Sequence, residues 1–398
     1  MNPTVTIELL GCYKRLLESD WFRRVWVLQE FALSQREPQA LLGPTLFSLR
    51  SLYNLGSKIL QHVEKDSEDS EWFRFMGRSF LSSHTVTFGE RYLPDWISSP
   101  AFQNKTQAMQ LHALTRLAAT RASTVPHDRI YALLGLVNSA KLPNELVPDY
   151  RLPYGQMCRE WTQFLIENTR NLDLLEFDKP YELEGQPSWA MDFRFCWWSE
   201  HELNTLHTGL FSSDGQSLLV DGVKCGEVIL YFDAHGDNVG ERLEEFYSTV
   251  LFSAANIRKE CVEVVWREWL SIFSKRAHFF APDDMGSRYQ SAAEFINAEA
   301  GSDDSDPNYT SRVLKSFGER NFVLADDGQI TWGHWRQQRS SGGEHQIWAF
   351  KGASGYSIVC RETPHRYHYV GRFHTWGKNV SLDETFFSSS TVERIALV

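Results

Sequence analysis

Apolar side chains near the start of the chain recur at the spacing of one helix face. The segment Ser19 to Gln35, SDWFRRVWVLQEFALSQ, carries an apolar stripe that runs through Phe22, Val25, Trp26, Ala32 and Leu33. This i, i+3, i+4, i+7 spacing is typical of an amphipathic helix. The pattern therefore predicts one continuous helix of about four turns, with Ser19 as its N-cap.

The polar residues of this helix are candidates for chemistry. In a continuous helix Arg23, Trp26 and Glu30 would share one face, because residues three and four positions apart are neighbours. Two interpretations stay open. Glu30 is either half of an exposed ion pair with Arg23 beside a core tryptophan, or a desolvated carboxylate in a cleft, acting as a general base or binding a ribose hydroxyl.

The period of the pattern changes from helical to strand-like along the chain. Helical spacing continues from Leu46 to about Gly135 and returns over Tyr154 to Asn168. Short apolar runs around Asp-Gly turns predict β-hairpins at Phe211 to Phe232 and Asn321 to Trp332. Three more strands are predicted at Gln346 to Phe350, Tyr356 to Cys360 and Arg366 to Phe373.

These elements predict an α+β fold. A helical N-terminal half is followed by a small antiparallel β-barrel or sandwich that carries a mostly helical insertion. We expect three domains: residues 1–45, which are helical, a helical accessory region over 46–200, and a β-rich domain over 201–398 with its insertion at about 241–310.

Composition and charge exclude some classes of partner. The 398 residues carry a formal net charge of −11, which argues against a nucleic-acid surface as the main role. No apolar run approaches the length of a membrane span. The six cysteines are scattered without a CxxC pair, which indicates reduced thiols in a cytoplasmic protein.

No motif predicts a metal or a cofactor. Five histidines fall in the C-terminal β region: His334, His345, His365, His368 and His374. On a strand, His365 and His368 would point to opposite faces, so their HxxH spacing does not make a ligand pair. The sequence has no GxSxG, P-loop, GxGxxG or HExxH pattern. We therefore expect neither a bound metal nor a cofactor.

A second cluster of polar residues lies in LTRLAATRASTVPHDRIYALLGL, Leu114 to Leu136. The pattern predicts a helix, a Ser-Thr-Val-Pro break, and a short helix that begins at Asp128 and ends at Gly135. Arg121, Asp128 and Arg129 are its polar positions. They are interpreted as a structural motif in which Asp128 caps the short helix and Arg121 binds carbonyl groups of the break.

These segments together resemble one known family. FRRVWVLQEFALS resembles the C-terminal signature of the fungal heterokaryon-incompatibility (HET) domain. Further segments follow in the order of the same proteins: ATRASTVPHDRIYALLGL, VPDY, QPSWAMDF, LLVDGVKCGEVI, RNFVLADDGQITWG and YHYVGRFHTWG. The resemblance covers nearly the whole chain, and the ordered set is more specific than any single motif.

The resemblance implies a role in nonself recognition. HET proteins trigger programmed cell death after cells of unlike genotype fuse, and their domain is similar to TIR domains, some of which cleave NAD with the glutamate of a Trp-x-x-x-Glu helix. Trp26 and Glu30 match that pattern. The resemblance therefore implies a catalytic role for Glu30 when the domain is complete, with Arg23, Trp26 and Gln29 as binding residues.

The segment before Glu18 lacks the strands that open the family's domain. We therefore expect residues 1–45 to be a C-terminal remnant of a HET domain, whose apolar stripe packs on the helices between Leu46 and Gly135 or stays partly exposed. The expected function is protein binding without catalysis, with a full-length HET relative or a recognition factor as the partner. The alternatives are NAD cleavage completed in trans and a small-ligand-binding β module.

Overall fold

In the computed structural model the chain forms two compact units, each defined by the contacts among its residues. Unit 1 comprises Met1–Thr169 and Phe193–Trp197, and unit 2 comprises Arg170–Asp192 and Trp198–Val398. The structure describes residues 13, 16, 19–65, 92–118, 121–137, 146–176, 183–195, 210–212, 215–236, 238–276, 314, 317–318, 320–333, 344–353, 355–375 and 384–398. The division into three domains stays a prediction.

Unit 1 is mainly helical and contains one small sheet. Its helices are α1 (Asp20–Arg23), α2 (Val27–Ala32), α3 (Leu49–Lys65), α4 (Leu93–Ser98), α5 (Pro100–Gln103), α6 (Gln107–Ala118), α7 (Asp128–Leu134) and α8 (Tyr154–Thr169). Helix α8 packs on α6, and α6 packs on α7. Trp161 is fully buried between these helices, where its indole N–H donates to the Thr115 hydroxyl at 3.4 Å.

The prediction of one continuous helix over Ser19 to Gln35 is wrong. Helix α1 ends at Arg23, and Arg24 takes an extended conformation with φ −75° and ψ 136°. Arg24 forms a parallel bridge with Ala122, because main-chain bonds join the two segments: Ala122 N–H donates to Arg23 O at 2.6 Å and Val25 N–H donates to Ala122 O at 2.9 Å. A pairing between segments this far apart leaves no local pattern in the sequence.

This break changes which side chains are buried. Val27, Leu28 and Phe31 form the buried face of α2, whereas the side chain of Leu33, predicted in the core, is 53 % exposed. Helix α2 packs on α4 and α7. Phe22 and Val25 of the predicted stripe are buried as well. The stripe is therefore partly packed and partly exposed.

A β-hairpin stands where helical spacing was predicted. Strands β1 (Gln39–Leu42) and β2 (Thr45–Ser48) pair antiparallel. Gly43, with φ +56°, supplies the left-handed residue of the turn, a conformation that glycine adopts without steric cost. The Gly43-Pro44 pair is a sequence signal for a turn, which the prediction of helix over these residues did not include.

Unit 2 is built around one mixed sheet of eight strands. The strands are β3 (Leu210–Phe211), β4 (Leu218–Asp233), β5 (Asn321–Ala325), β6 (Ile330–Gly333), β7 (His345–Phe350), β8 (Tyr356–Thr363), β9 (Arg366–Thr375) and β10 (Glu393–Leu397). The hairpin predicted at Asn321 to Trp332 is confirmed as β5 and β6, and the three further strands are confirmed as β7, β8 and β9.

The predicted hairpin at Phe211 to Phe232 is only partly present. β3 pairs with the start of β4, and Gly215 between them has a φ of +63°. The second signal, Asp221-Gly222, makes no turn and lies inside the 16-residue strand β4. Gly222 fits there because a Cβ at this position would lie 2.9 Å from the main-chain oxygen of Ala349 on β7. The residue thus permits close strand approach.

The small antiparallel barrel or sandwich predicted from the sequence is corrected to one mixed sheet. β4 pairs with β7 through its middle and with β5 through its C-terminal part, with irregular register at Lys224/Gly226 and Val228/Leu230. β10 runs antiparallel to β4 but parallel to β9, over two residue pairs. Bulges bend a strand and increase its twist, and because β4 pairs with both β5 and β7 the sheet curls back on itself.

The predicted helical insertion between β4 and β5 is confirmed for its described part. It contains α9 (Val239–Phe246), a π-helical turn (Tyr247–Leu251), α10 (Phe252–Arg258) and α11 (Val262–Arg276); α12 (Glu384–Ser389) follows β9. These insertion helices pack Phe246, Trp266, Trp269 and Phe273 against Phe322 and Trp332 of the sheet. This aromatic core covers one face of β5 and β6.

Candidate functional site

The predicted residues of the first segment divide into structural and exposed positions. Arg23 and Glu30 lie in separate helices and are both exposed, and Trp26 is half-buried. The break at Arg24 therefore removes the basis on which these three residues were expected to share one face. Glu30 lies in solvent in this structure, and its catalytic role stays a prediction.

Gln29 joins α2 to the end of α7. Its side-chain Nε2 donates to the main-chain oxygen of Ala132 at 2.7 Å. This carbonyl belongs to the last turn of a helix, where main-chain oxygens lack an intrahelical partner. Gly135 follows directly, and a Cβ there would lie 2.5 Å from the same Nε2. Gln29 therefore connects the Trp-x-x-x-Glu segment with the end of the ATRASTVPHDRIYALLGL segment.

Arg121 was predicted to bind carbonyl groups of the break, and the structure shows its bond to a carbonyl group of another segment. Its side chain is 2 % exposed, and its guanidinium donates to the main-chain oxygen of Phe22. Burial lowers the pKa of Arg121 to about 10, so the group stays protonated at neutral pH. This bond goes to the end of α1, since Arg121 and Ala122 lie against α1 and Arg24.

Asp128 and Arg129 begin α7 and are half-buried. Asp128 makes no side-chain cap in the structure, because His127 precedes the helix in a helical conformation. The Asp128 carboxylate instead accepts a hydrogen bond from the Tyr150 hydroxyl at 2.8 Å. The predicted capping role of Asp128 is thus replaced by a bond to the VPDY segment.

Aromatic rings connect the start of α7 with the VPDY segment. The ring of His127 lies 5.8 Å from Tyr131, 5.9 Å from Tyr150 and 5.6 Å from Tyr154. His127 Nε2 donates to the Leu152 carbonyl at 2.8 Å. The hydroxyl of Tyr131 lies 3.2 Å from both the nitrogen and the oxygen of the Asp149 main chain. The PHDRIY and VPDY segments therefore form one structural unit.

A polar network that the sequence did not reveal fixes the β1–β2 hairpin. Arg50 donates to both carboxylate oxygens of Asp95, at 2.9 and 3.0 Å. Its main-chain N–H donates to Glu37 at 2.9 Å, and the Tyr92 hydroxyl donates to the same carboxylate oxygen at 2.8 Å. The bond from Arg50 lowers the pKa of Asp95. The network could not be found by spacing, because its members come from three separate segments.

The hairpin that this network holds presents apolar side chains to solvent. Leu41 and Leu46 are directly opposite each other in the register, and their side chains are 70 % and 65 % exposed. Cross-strand partners project from the same face. Within the described residues, the outer edges of β1 and β2 pair with no further strand. Unpaired strand edges bind other chains readily.

The histidines that the structure describes in the β unit form no metal-binding group. His345 lies against Tyr231 at 4.9 Å, and His365 is the left-handed residue of the β8–β9 turn, with φ +66°; His334 lies outside the described residues. Over the ranges given above, no three His, Cys, Asp or Glu side chains approach closely enough to hold a metal ion.

The fold thus defines a mixed α/β protein with a helical unit and a sheet-based unit. Comparison with family models, with curated proteins and with solved structures finds no match. None of the helices in the described ranges combines the length and apolar character needed to cross a membrane.

Proposed function

We propose that this chain is a cytoplasmic protein of the HET type that acts in nonself recognition by binding another protein, and that the β1–β2 hairpin is its binding surface. The exposed Leu41–Leu46 pair carries the proposal. Exposure of two apolar side chains to water on one hairpin face is unfavourable. A partner that covers both leucines would gain the free energy of burying them.

The anchoring of the hairpin supports the same proposal. Leu49 N–H donates to Pro38 O at 2.9 Å and closes the base of the hairpin, and Arg50 ties it to Asp95. An isolated two-stranded hairpin is marginally stable in water. These bonds hold the leucine pair in place before binding, and preorganisation of this kind lowers the entropic cost of association.

The occupant we assign to this surface is an extended strand of a HET-family partner. Pairing with the free edge of β1 or β2 satisfies main-chain donors and acceptors, and apolar side chains of the added strand cover Leu41 and Leu46. The net charge of −11 favours a partner with a basic surface, since opposite charge accelerates encounter. Nucleic acid has no place in this proposal.

The test compares a double variant with a matched control. Leu41→Ser/Leu46→Ser should weaken binding to full-length HET-family proteins by at least about tenfold, measured by biolayer interferometry with purified proteins, and should change cell viability after fusion. Phe252→Ser, which changes a residue 53 % exposed in unit 2, should bind as the parent does. Equal binding by the double variant and the parent would overturn the proposal.

A further inference from the structure

The sheet of unit 2 has two faces with different contents. Phe322 and Leu324 of β5, with Ile330 and Trp332 of β6, face the helices of the insertion. The alternate residues face the other way, where Val323 and Ala325 pack with Ile347 and Ile358 of β7 and β8. This second face is the inside of the coiled sheet, and nothing in the proposed function uses it.

Three polar side chains lie on this inner face. Tyr231 of β4 and Thr331 of β6 are both paired with Val323 in the register, one on each side of β5. Asn321 lies two residues before Val323 on the same strand, so it projects from the same face. Neighbouring strands lie about 4.8 Å apart, so Tyr231 and Thr331 flank Val323 on either side, and Asn321 lies about 7 Å along β5 from that row.

Each of these side chains is short of hydrogen bonds. Asn321 is 2 % exposed and Thr331 is 1 % exposed. Within the described part of the chain, neither the Asn321 amide oxygen and nitrogen, nor the Thr331 hydroxyl, nor the Tyr231 hydroxyl has a hydrogen-bond partner. Folded proteins satisfy nearly all buried polar atoms, with protein groups or with a bound molecule. Four such atoms on one patch therefore point to a common guest.

We propose that the inner face of this sheet binds a small neutral guest bearing O–H groups, held by Tyr231, Asn321 and Thr331. The Asn321 amide and the two hydroxyl groups can each donate and accept a hydrogen bond. An O–H group of a guest could therefore bond any of these three side chains. Burial raises the pKa of Tyr231, which keeps its hydroxyl protonated as a donor. Ordered water and a small polyol share this chemistry.

Isosteric substitution tests whether a guest is present. If Thr331 Oγ1 binds a guest, Thr331→Val removes a bond and lowers the melting temperature by several degrees. If that oxygen is merely unpaired, Thr331→Val removes a desolvated group and leaves the melting temperature equal or higher, which would overturn the proposal. Thr169→Val is the control for loss of a buried hydrogen bond, because the buried Thr169 hydroxyl donates to Leu165 O at 2.7 Å.

Two further arms identify the guest. Native mass spectrometry of the full chain, with glycerol and ribose as added probes, distinguishes a retained polyol from water, and a crystal structure locates it. A polyol or bridging waters at Tyr231, Asn321 and Thr331 would support the site. Protein groups bonded to those same atoms would overturn it. The result does not depend on the hairpin, because Leu41→Ser/Leu46→Ser leaves these residues unchanged.

Discussion

The side-chain amide of Gln29 binds the main-chain oxygen of Ala132 at 2.7 Å, and Gly135 leaves the space that this contact needs. The glutamine of the Gln-Glu pair and the glycine that ends the LLGL segment thus belong to one contact. Residues that resembled parts of two separate motifs are explained by a single packing requirement between α2 and α7.

Gly135→Ala should destabilise unit 1 by about 1 kcal/mol or less, because the new Cβ would push aside the flexible end of Gln29 and break its hydrogen bond to Ala132 O. Gln29→Ala alone should cost about 1 kcal/mol for the lost hydrogen bond. Together the two changes should cost less than their sum, since the shorter side chain removes the overlap. Urea unfolding measures all three variants.

The control for this cycle is Gly236→Ala, whose Cβ would meet Arg242 at an ordinary 3.8 Å. It should change the free energy of unfolding by less than about 0.5 kcal/mol. Strict additivity of Gly135→Ala and Gln29→Ala would contradict the predicted overlap.

Stability should fall in acid because of His112. This side chain is 8 % exposed, and burial, with the nearby charges of Arg116 and Lys105, lowers its pKa from 6.5 to about 4. The unfolded chain therefore binds the proton more tightly, so stability is lost as the pH falls from about 6.5 towards 4. The largest loss expected from this group is about 3 kcal/mol.

Thermal unfolding of the parent and of His112→Leu across this pH range measures the effect. The slope of stability against pH should be shallower in His112→Leu, whereas His365→Gln, at an exposed turn position, should keep the slope of the parent. Equal slopes in His112→Leu and the parent would rule out the assignment to His112.

Arg50→Met should loosen the β1–β2 hairpin more than it lowers overall stability. The Arg50–Asp95 pair is partly exposed, at 45 % and 57 %, and such pairs contribute about 1 kcal/mol or less. The lost bonds should nevertheless speed amide hydrogen exchange across Gln39–Ser48, measured by mass spectrometry. Arg394→Met, which breaks the pair with Asp221 at 2.7 Å in unit 2, should leave exchange in the hairpin unchanged.

Glu30→Ala should leave the fold intact. Because the Glu30 side chain is exposed, its removal should change the free energy of unfolding by less than about 0.5 kcal/mol. The NAD-cleaving role that the resemblance implies is tested separately, by NAD consumption of the chain alone and with full-length HET relatives. Turnover that Glu30→Ala abolishes would establish it, and NAD left intact in both mixtures would exclude it.

Local patterns predicted the elements that depend on local chemistry. The Asp-Asp-Gly turn was sufficient to place β5 and β6, and apolar spacing placed α8. The break at Arg24 could not be predicted, because Ala122 supplies its hydrogen bonds from a distant segment. Similarly, Asp221-Gly222 resembles a turn by itself, but β10 and β7 extend that segment as a strand.

The site was less predictable than the fold. Gln29 was predicted as a binding residue and Arg121 as part of a structural motif. The partners that the structure gives them, Ala132 O and Phe22 O, are main-chain atoms that carry no sequence signal. Leu41 and Leu46 were not selected, since an exposed leucine and a buried one are identical in sequence. The pairing of β1 with β2 is what identifies Leu41 and Leu46 as a pair on one hairpin face.

The long strand β4 has a consequence for how unit 2 is made. Glu227 on this strand bonds a residue 99 positions later in the chain, and Asp221 bonds one 173 positions later. During synthesis β4 therefore leaves the ribosome long before β5, β7 and β10 exist, and contacts of such high sequence separation form slowly. We expect the newly made chain to expose β4 as an unpaired edge and to need a chaperone through that interval.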